Sequence, residues 1–351
     1  MATQKYKTTG NKGLFDEQET YQKLSNIGNP LERLSNSLDF EMFRNILESE
    51  LLNTNKKSNA GAKPFDVVMM FKILILQRYY GLGDTQIEYQ ILDRLSFKKF
   101  LGLESGDKVP DEKTVWAFRE KLTNENLIEV IFSEFTEHLE IHGLIINEGK
   151  MVDASFTIAP RQRNTRDENK KIKEGNGNEL WNDKPNKKKH KDIDARWTKK
   201  NRETFFGYKN HAKVDTKSKF IDNYKVTDAS VHDSQPLDNL LTESDKEQDF
   251  HADSAYTGED QEKVISKYKM KNKVHEKGYR NKPLSDEQKA NNKEKSKTRA
   301  RVEHVFGFME QSMNGLIVRS IGIKRATGII GLINLTYNLF RYEQVVRLNI
   351  L

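Results

Sequence analysis

The 351 residues include no cysteine. Disulfide frameworks, thiol nucleophiles and zinc–thiolate sites are thereby excluded, and a reducing cytosol is compatible. Long apolar runs are also missing. The longest, Val67 to Leu76, is broken by Lys72 and falls well short of the ~20 residues of a membrane span. The stretch from Met1 to Gln18 is polar and lacks the apolar centre of a signal peptide. His211, His232 and His251 are candidate zinc ligands, but no H-E-x-x-H pattern accompanies them. A Gly-rich phosphate loop and a G-x-S-x-G elbow are absent too. These absences lead to the expectation of a soluble cytoplasmic protein with no membrane partner.

Charge is abundant. Charged residues make up 32% of the chain against 35% hydrophobic, and the net charge is +7. That balance favours polyanionic partners and says nothing about fold. Its distribution is more telling. Arg161 to Lys213 holds 17 basic and 8 acidic residues, and Lys267 to Arg301 holds 13 and 4, so the remainder of the chain carries −11. Two basic blocks around an acidic remainder point towards nucleic acid; two solvated lysine-rich loops are the plainer alternative.

The chain divides by pattern. Residues 1–30 read as a loosely ordered tail, and 31–145 as an all-α N-terminal domain for DNA binding or multimerisation. From Pro30 to Leu52 the apolar spacing is helical, and Asn53 to Lys63 is a polar linker. Val67, Met70, Phe71, Leu74 and Ile75 share a helix face; Asp84 is placed to cap the next helix; Pro110-Asp111 starts another, carrying Trp116, Arg119 and Lys121. These short helices suit either a helix-turn-helix unit with Arg119 and Lys121 on DNA, or a plain helical bundle.

After Asn126 to His142, a further helix, the period changes. Met151 to Ile158 alternates as a strand, with Asp153 on its more polar face. Strands are expected at Thr204 to Val214 and Lys219 to Val226, joined by the turn Asp215 to Ser218, then at Gln248 to Asp253 and Lys273 to His275. Helices are expected at Ser234 to Leu241, Glu259 to Tyr268, Lys295 to Met313 and Gly328 to Leu348. The fold class is α/β, a mixed sheet flanked by helices over 146–320, with a basic insertion at 161–203 and a C-terminal helix over 321–351 packing on the core.

Three acids stand in distinct settings: Asp153 in Val152-Asp153-Ala154-Ser155, Asp253 in Ala252-Asp253-Ser254-Ala255-Tyr256, and Glu303 in Arg299-Ala300-Arg301-Val302-Glu303-His304. They lie 100 and 50 residues apart, so only a fold can gather them. Gathered carboxylates repel unless a cation neutralises them. Oxygen ligands suit Mg²⁺ or Mn²⁺, and two such ions serve in-line displacement at phosphorus by water or a DNA 3′-hydroxyl. The plainer readings are caps, turns and an i, i+4 ion pair between Arg299 and Glu303.

At these residues the chain resembles bacterial insertion-sequence transposases of the DDE class, in the insertion-sequence-five group. Pro64 to Leu74, Gln77 to Leu82 and Asp93 to Phe97 resemble that group's helical N-terminal domain, and the three acid segments resemble its three acid motifs, in order. The resemblance implies an RNase H-like catalytic core. It implies Asp153, Asp253 and Glu303 as catalytic and metal-binding residues, with two Mg²⁺ or Mn²⁺ ions per site. It further implies cutting and joining of double-stranded DNA at terminal inverted repeats by a homodimer or higher multimer near the bacterial nucleoid. Arg299 matches the arginine of the family's Y-R-E-K pattern, whereas Ser296 stands in place of its tyrosine and Glu310 in place of its lysine.

Phosphate contacts are expected from Arg299 and Arg301, from Arg319 or Lys324 in place of the missing lysine, and from Arg161, Arg163, Lys187, Lys188, Lys189, Arg196, Lys209 and Lys213. Trp181 and Trp197 either stack on bases or pack the insertion onto the core. Two competing functions remain at this level: a DNA-binding protein without catalysis, and a metal nuclease without strand transfer.

Overall fold

A computed structural model describes residues 13, 15–51, 63–200, 202–280 and 282–350. The expected linker at 53–63 falls almost entirely outside them. Helices come first: α1 (Asp16–Ile27), α2 (Pro30–Ser37), α3 (Arg44–Leu51), α4 (Val67–Tyr79), α5 (Asp84–Asp93), α6 (Leu95–Leu101), α7 (Glu112–Asn124) and α8 (Leu127–Ile141). The expected tail therefore contains a helix. α1 ends at Gly28, whose φ of +100° suits glycine, and Glu17 Oε1 accepts from Ser105 Oγ at 2.9 Å. The helical stretch from Pro30 breaks at Leu38, because Asp39 caps a new turn by accepting from Glu41 N. Asp66 and Asp111 cap α4 and α7 in the same way. Asp84 does not act as a cap; Gly83 holds that position and Asp84 forms an ion pair instead.

The sheet follows: β1 (Gly149–Ile158), β2 (Arg196–Lys200), β3 (Glu203–Asp215), β4 (Ile221–Asp228), β5 (Asp249–His251) and β6 (Lys271–Asn272). β1 runs antiparallel to β3 and parallel to β5, which is parallel to β6. One edge of β3 is shared, its first half pairing β2 and its second half β4. Both faces of β1 are covered: Met151 joins the larger apolar core with the N-terminal helices, and Val152 a smaller one with Leu237, Phe250 and Tyr256. β2 was not anticipated, since Arg196 to Lys200 has no apolar face of its own beyond Trp197. At the β1–β3 pairing, Gly207 has φ +150°, and an added Cβ would lie 2.2 Å from Thr157 O.

The remaining helices are α9 (Arg166–Lys173) and α10 (Pro185–Lys189) in the insertion, then α11 (Leu237–Leu240), α12 (Glu259–Lys267), α13 (Asp286–Gln311) and α14 (Ile323–Leu348). α13 starts nine residues before the expected Lys295, at a capping box of Ser285 and Gln288. The insertion has a small core of Ile172, Leu180 and Trp181. α14 is buried for most of its length between the N-terminal helices and the sheet. Its Asn334 exchanges amide hydrogen bonds with Asn210 of β3, and Phe340 stacks on Tyr79 of α4 with ring centroids 3.6 Å apart. Among the described residues, no helix is long and apolar enough to cross a membrane.

Candidate active site

β1 carries Asp153 into the middle of the sheet, opposite Ala212 of β3. β5 is the parallel neighbour of β1, and Asp253 lies just past its end, where it caps a short turn by accepting from Ala255 N at 2.8 Å. α13 packs across β1 and carries Arg299 and Glu303 one turn apart. Arg299 joins the acids. Its Nη2 donates to Glu303 Oε1 at 2.8 Å, and its Nη1 lies 3.5 Å from Asp153 Oδ2. The i, i+4 pair expected on the helix is thus present, and its cation also serves β1.

Asp153 is strongly perturbed. Burial pushes its carboxyl up to about 6; the Ala154 N–H and Arg299 oppose the rise, and the nearby Asp253 carboxylate adds to it. Below it lies Tyr256, whose buried hydroxyl has no hydrogen-bond partner among the described residues. Burial, then Asp153, Asp233 and Asp253, push that hydroxyl well above its ordinary range. Asp233 is a fourth acid that the sequence reading missed. It follows β4, and its Oδ1 lies 2.7 Å from Lys209 Nζ. The adjacent His232-Asp233 pair carries no periodic signal, so only the position of β4 beside β3 reveals it.

The site calls for a cation. Asp153 is raised, Asp253 contributes to the raise, and Arg299 is the charge that presently answers both Asp153 and Glu303. An all-oxygen donor set suits a hard divalent ion. Asp153 and Asp253 fit that role. Glu303 is 59% exposed and held by Arg299, and among the described residues no three Asp, Glu or His side chains are gathered closely enough to hold one ion. Glu303 thus stands apart from the other two acids and is tied to Asp153 through Arg299. His211 and His251 each have a buried, unpartnered Nδ1 and are held neutral chiefly by burial, so neither belongs to a histidine cluster for zinc; the exposed His232 pairs with Ser234.

Beside Asp153 runs a groove of about 550 Å³, lined by Ala154, Phe156, Phe205, Phe306, Glu310 and Ile317 among others. Phe156 and Phe205 stack there at 4.3 Å. Glu310 therefore brings negative charge to the approach to the acids. Ser296 contacts His275 Nε2 at 3.3 Å.

The basic residues separate into two sets. Three are corrected by burial. Lys213 is 2% exposed and binds Asp245 Oδ2 at 2.7 Å; Lys209 binds Asp233 and Val231 O; Arg119 is 5% exposed and forks onto both oxygens of Asp84 at 2.6 and 2.7 Å. None presents its charge on an outer DNA-facing surface, because internal acids already consume it. Arg196 is likewise turned inwards, donating to the carbonyls of Ile172, Ile193 and Ala195.

The outer set includes Arg161 over Trp197, exposed Arg163 and Lys189, Lys187 on Glu168, Lys188 on Asn178 O, Arg301 on Thr216 O, Lys324 on Asn124 O, exposed Lys121, and exposed Arg319. Trp181 packs inside the insertion while Trp197 stays partly exposed against Phe206.

Comparison with known proteins gives two family matches. Residues 151–339 match the model of the transposase DDE domain, and residues 18–121 match a transposase domain family. Among solved structures, the chain is similar to one from a cryo-EM structure of a piggyBac transposase synaptic complex with hairpin DNA, at 12% identity and a TM-score of 0.45. That similarity covers 93% of this chain and 77% of the other.

Proposed function

The chain belongs to the DDE transposases, enzymes that cut and join DNA, and from that premise we propose that Asp153, Asp253 and Glu303 are its catalytic acids. The observation that supports the assignment is Arg299 lying between Asp153 and Glu303, with the Asp253 carboxylate near enough to raise Asp153, although these acids are 100 and 50 residues apart in sequence. Membership of the insertion-sequence-five group rests on the N-terminal segments that resemble it.

Dependence on divalent metal comes with the family; we assign Mg²⁺ or Mn²⁺, two ions per site, to Asp153, Asp253 and Glu303. When bound, such ions neutralise the scissile phosphate and acidify the attacking oxygen. The protein's own residues do the rest. Asp153 and Asp253 supply oxygens fixed by backbone N–H groups, which keep them from rotating. Arg299 offsets the repulsion between Asp153 and Glu303. When it lets go of Glu303, its guanidinium becomes available to a backbone phosphate, the role its place in the Y-R-E-K pattern implies. Glu310 reverses the charge at the pattern's lysine, leaving end positioning to other cations.

The substrate in this reading is double-stranded DNA bearing the element's terminal inverted repeats, handled by a homodimer or larger multimer on the bacterial nucleoid. Strand cleavage on such ends with Mg²⁺ tests it: Asp153→Asn, Asp253→Asn and Glu303→Gln should each abolish cleavage, and wild-type activity in any of them removes that residue from the site. A DNA-binding derivative without catalysis is the second reading, favoured by Glu310. Calorimetric titration with Mg²⁺ separates the two, since a non-catalyst shows no binding that depends on Asp153.

A further inference from the structure

Where the N-terminal helices meet the segment after α13, a second pocket of about 550 Å³ opens, lined by Arg78, Asp84, Arg119, Asn314, Ile317 and Arg319 among others. Three guanidinium groups face one carboxylate there. Asp84 is already saturated: both oxygens receive Arg119, and Gln77 Nε2 donates to Oδ1 at 2.9 Å. Arg78 has no ion pair among the described residues, and its buried Nε has no hydrogen-bond partner. Burial first, and then the neighbouring charge of Arg119, lower the Arg78 guanidinium to about 10. Arg319 is exposed and also lacks an ion pair among the described residues. Buried charges are ordinarily paired, so a partly buried arginine left open beside two others marks a place for an anion.

The pocket is continuous with the groove beside Asp153, since Asn314 and Ile317 line both. Residues 316–318 are fixed to the end of β1: Ile158 N donates to Leu316 O and Val318 N to Ile158 O, each at 2.9 Å. Asp153 and Ile158 are five residues apart on that strand, about 17 Å at ~3.3 Å per residue. A planar guanidinium fork matches a phosphate's oxygens better than a point charge does.

We propose that Arg78 and Arg319, with Arg119 held on Asp84 behind them, form an oxyanion site that grips one backbone phosphate of the DNA bound at Asp153. This rests on the chain's reading as a transposase. It also supplies the positive charge that Glu310 removes nearer the acids, from a helix of the N-terminal domain, so that one DNA contact spans both parts of the chain.

The test measures binding of duplex DNA by fluorescence anisotropy across a salt series, for the full chain, Arg319→Gln and Arg78→Gln, with circular dichroism to confirm folding. Each variant should reduce the slope of log affinity against log salt by about 0.9, the loss of one phosphate contact. Arg319→Gln, on the exposed side, keeps the test decisive should Arg78→Gln fail to fold. A slope in Arg319→Gln equal to that of the wild type overturns the proposal. Inorganic phosphate is the second probe. If it raises the melting temperature of the wild type but not of Arg319→Gln while the DNA slope is unchanged, the site serves a free anion and the DNA assignment is overturned. Asp153→Asn separates this from the catalytic reading: a slope loss in Arg319→Gln together with undiminished cleavage by Asp153→Asn upholds the pocket and overturns the acids.

Discussion

Replacing Asp153 by asparagine should make the metal-free protein more stable while destroying its activity. The carboxyl is raised from 3.8 to about 6, first by burial. Each unit is worth about 1.36 kcal/mol, so carrying this charge costs the folded protein roughly 2–3 kcal/mol at pH 7. Asparagine keeps the Oδ1 that accepts from Ala154 N at 2.8 Å and removes the charge. The sign follows from the direction of the shift. Below about pH 3 the aspartate is protonated in both folded and unfolded chains, and the two proteins should match. As pH rises through 4 to 6, the unfolded chain ionises freely and the folded one reluctantly, so the wild type loses ground. Above about pH 7 the gap is constant.

Thermal unfolding followed by circular dichroism checks this. An unfolding entropy of about 2.1 cal/mol/K per residue gives about 0.7 kcal/mol/K for this chain, so Asp153→Asn should melt about 3–4 °C higher at pH 7, with the gap shrinking to within about 1 °C at pH 4. Mg²⁺ supplies a second arm. At ten times a Kd of about 1 mM it should restore about 1.4 kcal/mol to the wild type and little to the variant, closing much of the gap. An Asp153→Asn protein that melts lower than the wild type at pH 7, or a gap that does not change between pH 4 and 7.5, would refute the argument that this carboxylate is held in an unfavourable charged state.

Three further outcomes are expected. Arg299→Gln removes the cation that competes for Asp153 and Glu303; with an ion pair worth about 1 kcal/mol, calorimetry should show Mg²⁺ binding about fivefold tighter, and unchanged or weaker binding counts against the competition. Lys213→Ala takes the ion-pair partner from the buried Asp245, costing about 3–5 kcal/mol in urea unfolding, whereas Lys189→Ala should cost almost nothing; equal costs would return Lys213 to the surface. Gly207→Ala drives a Cβ into the backbone of β1, which cannot yield as a side chain would, and should cost at least about 2 kcal/mol by the same measurement.

The acids were legible because each sits in its own local pattern, and the strand and helix carrying them have clear periods. The β3–β4 hairpin was legible from its turn for the same reason. What was hidden depends on neighbours remote in sequence. Asp233 reaches the site only because β4 lies beside β3, and a fourth acid after a strand carries no mark of its own. The first nine residues of α13 are polar all round, so no stripe announces them, although the Ser285–Gln288 capping box was there to be read. The α1 helix has no buried residues and so no apolar face to find. Arg78 read as one more position on an apolar helix; its significance lies in Arg119 and Arg319, which fold beside it.

Counting charge along the chain therefore measures two different things at once. The sheet strand β3 carries Lys209 and Lys213, and both are neutralised by acids that arrive from the segments after β4. They stabilise the pairing of those segments on the catalytic sheet, and a buried pair of this kind is sensitive to the loss of either member. The cations left over lie on the insertion, on α13 and at the seam beside α4. Of these, Lys200 lines the groove beside Asp153, and Arg78 and Arg319 line the pocket continuous with it. The basic blocks seen in sequence therefore bear on DNA only after the internal pairs are subtracted.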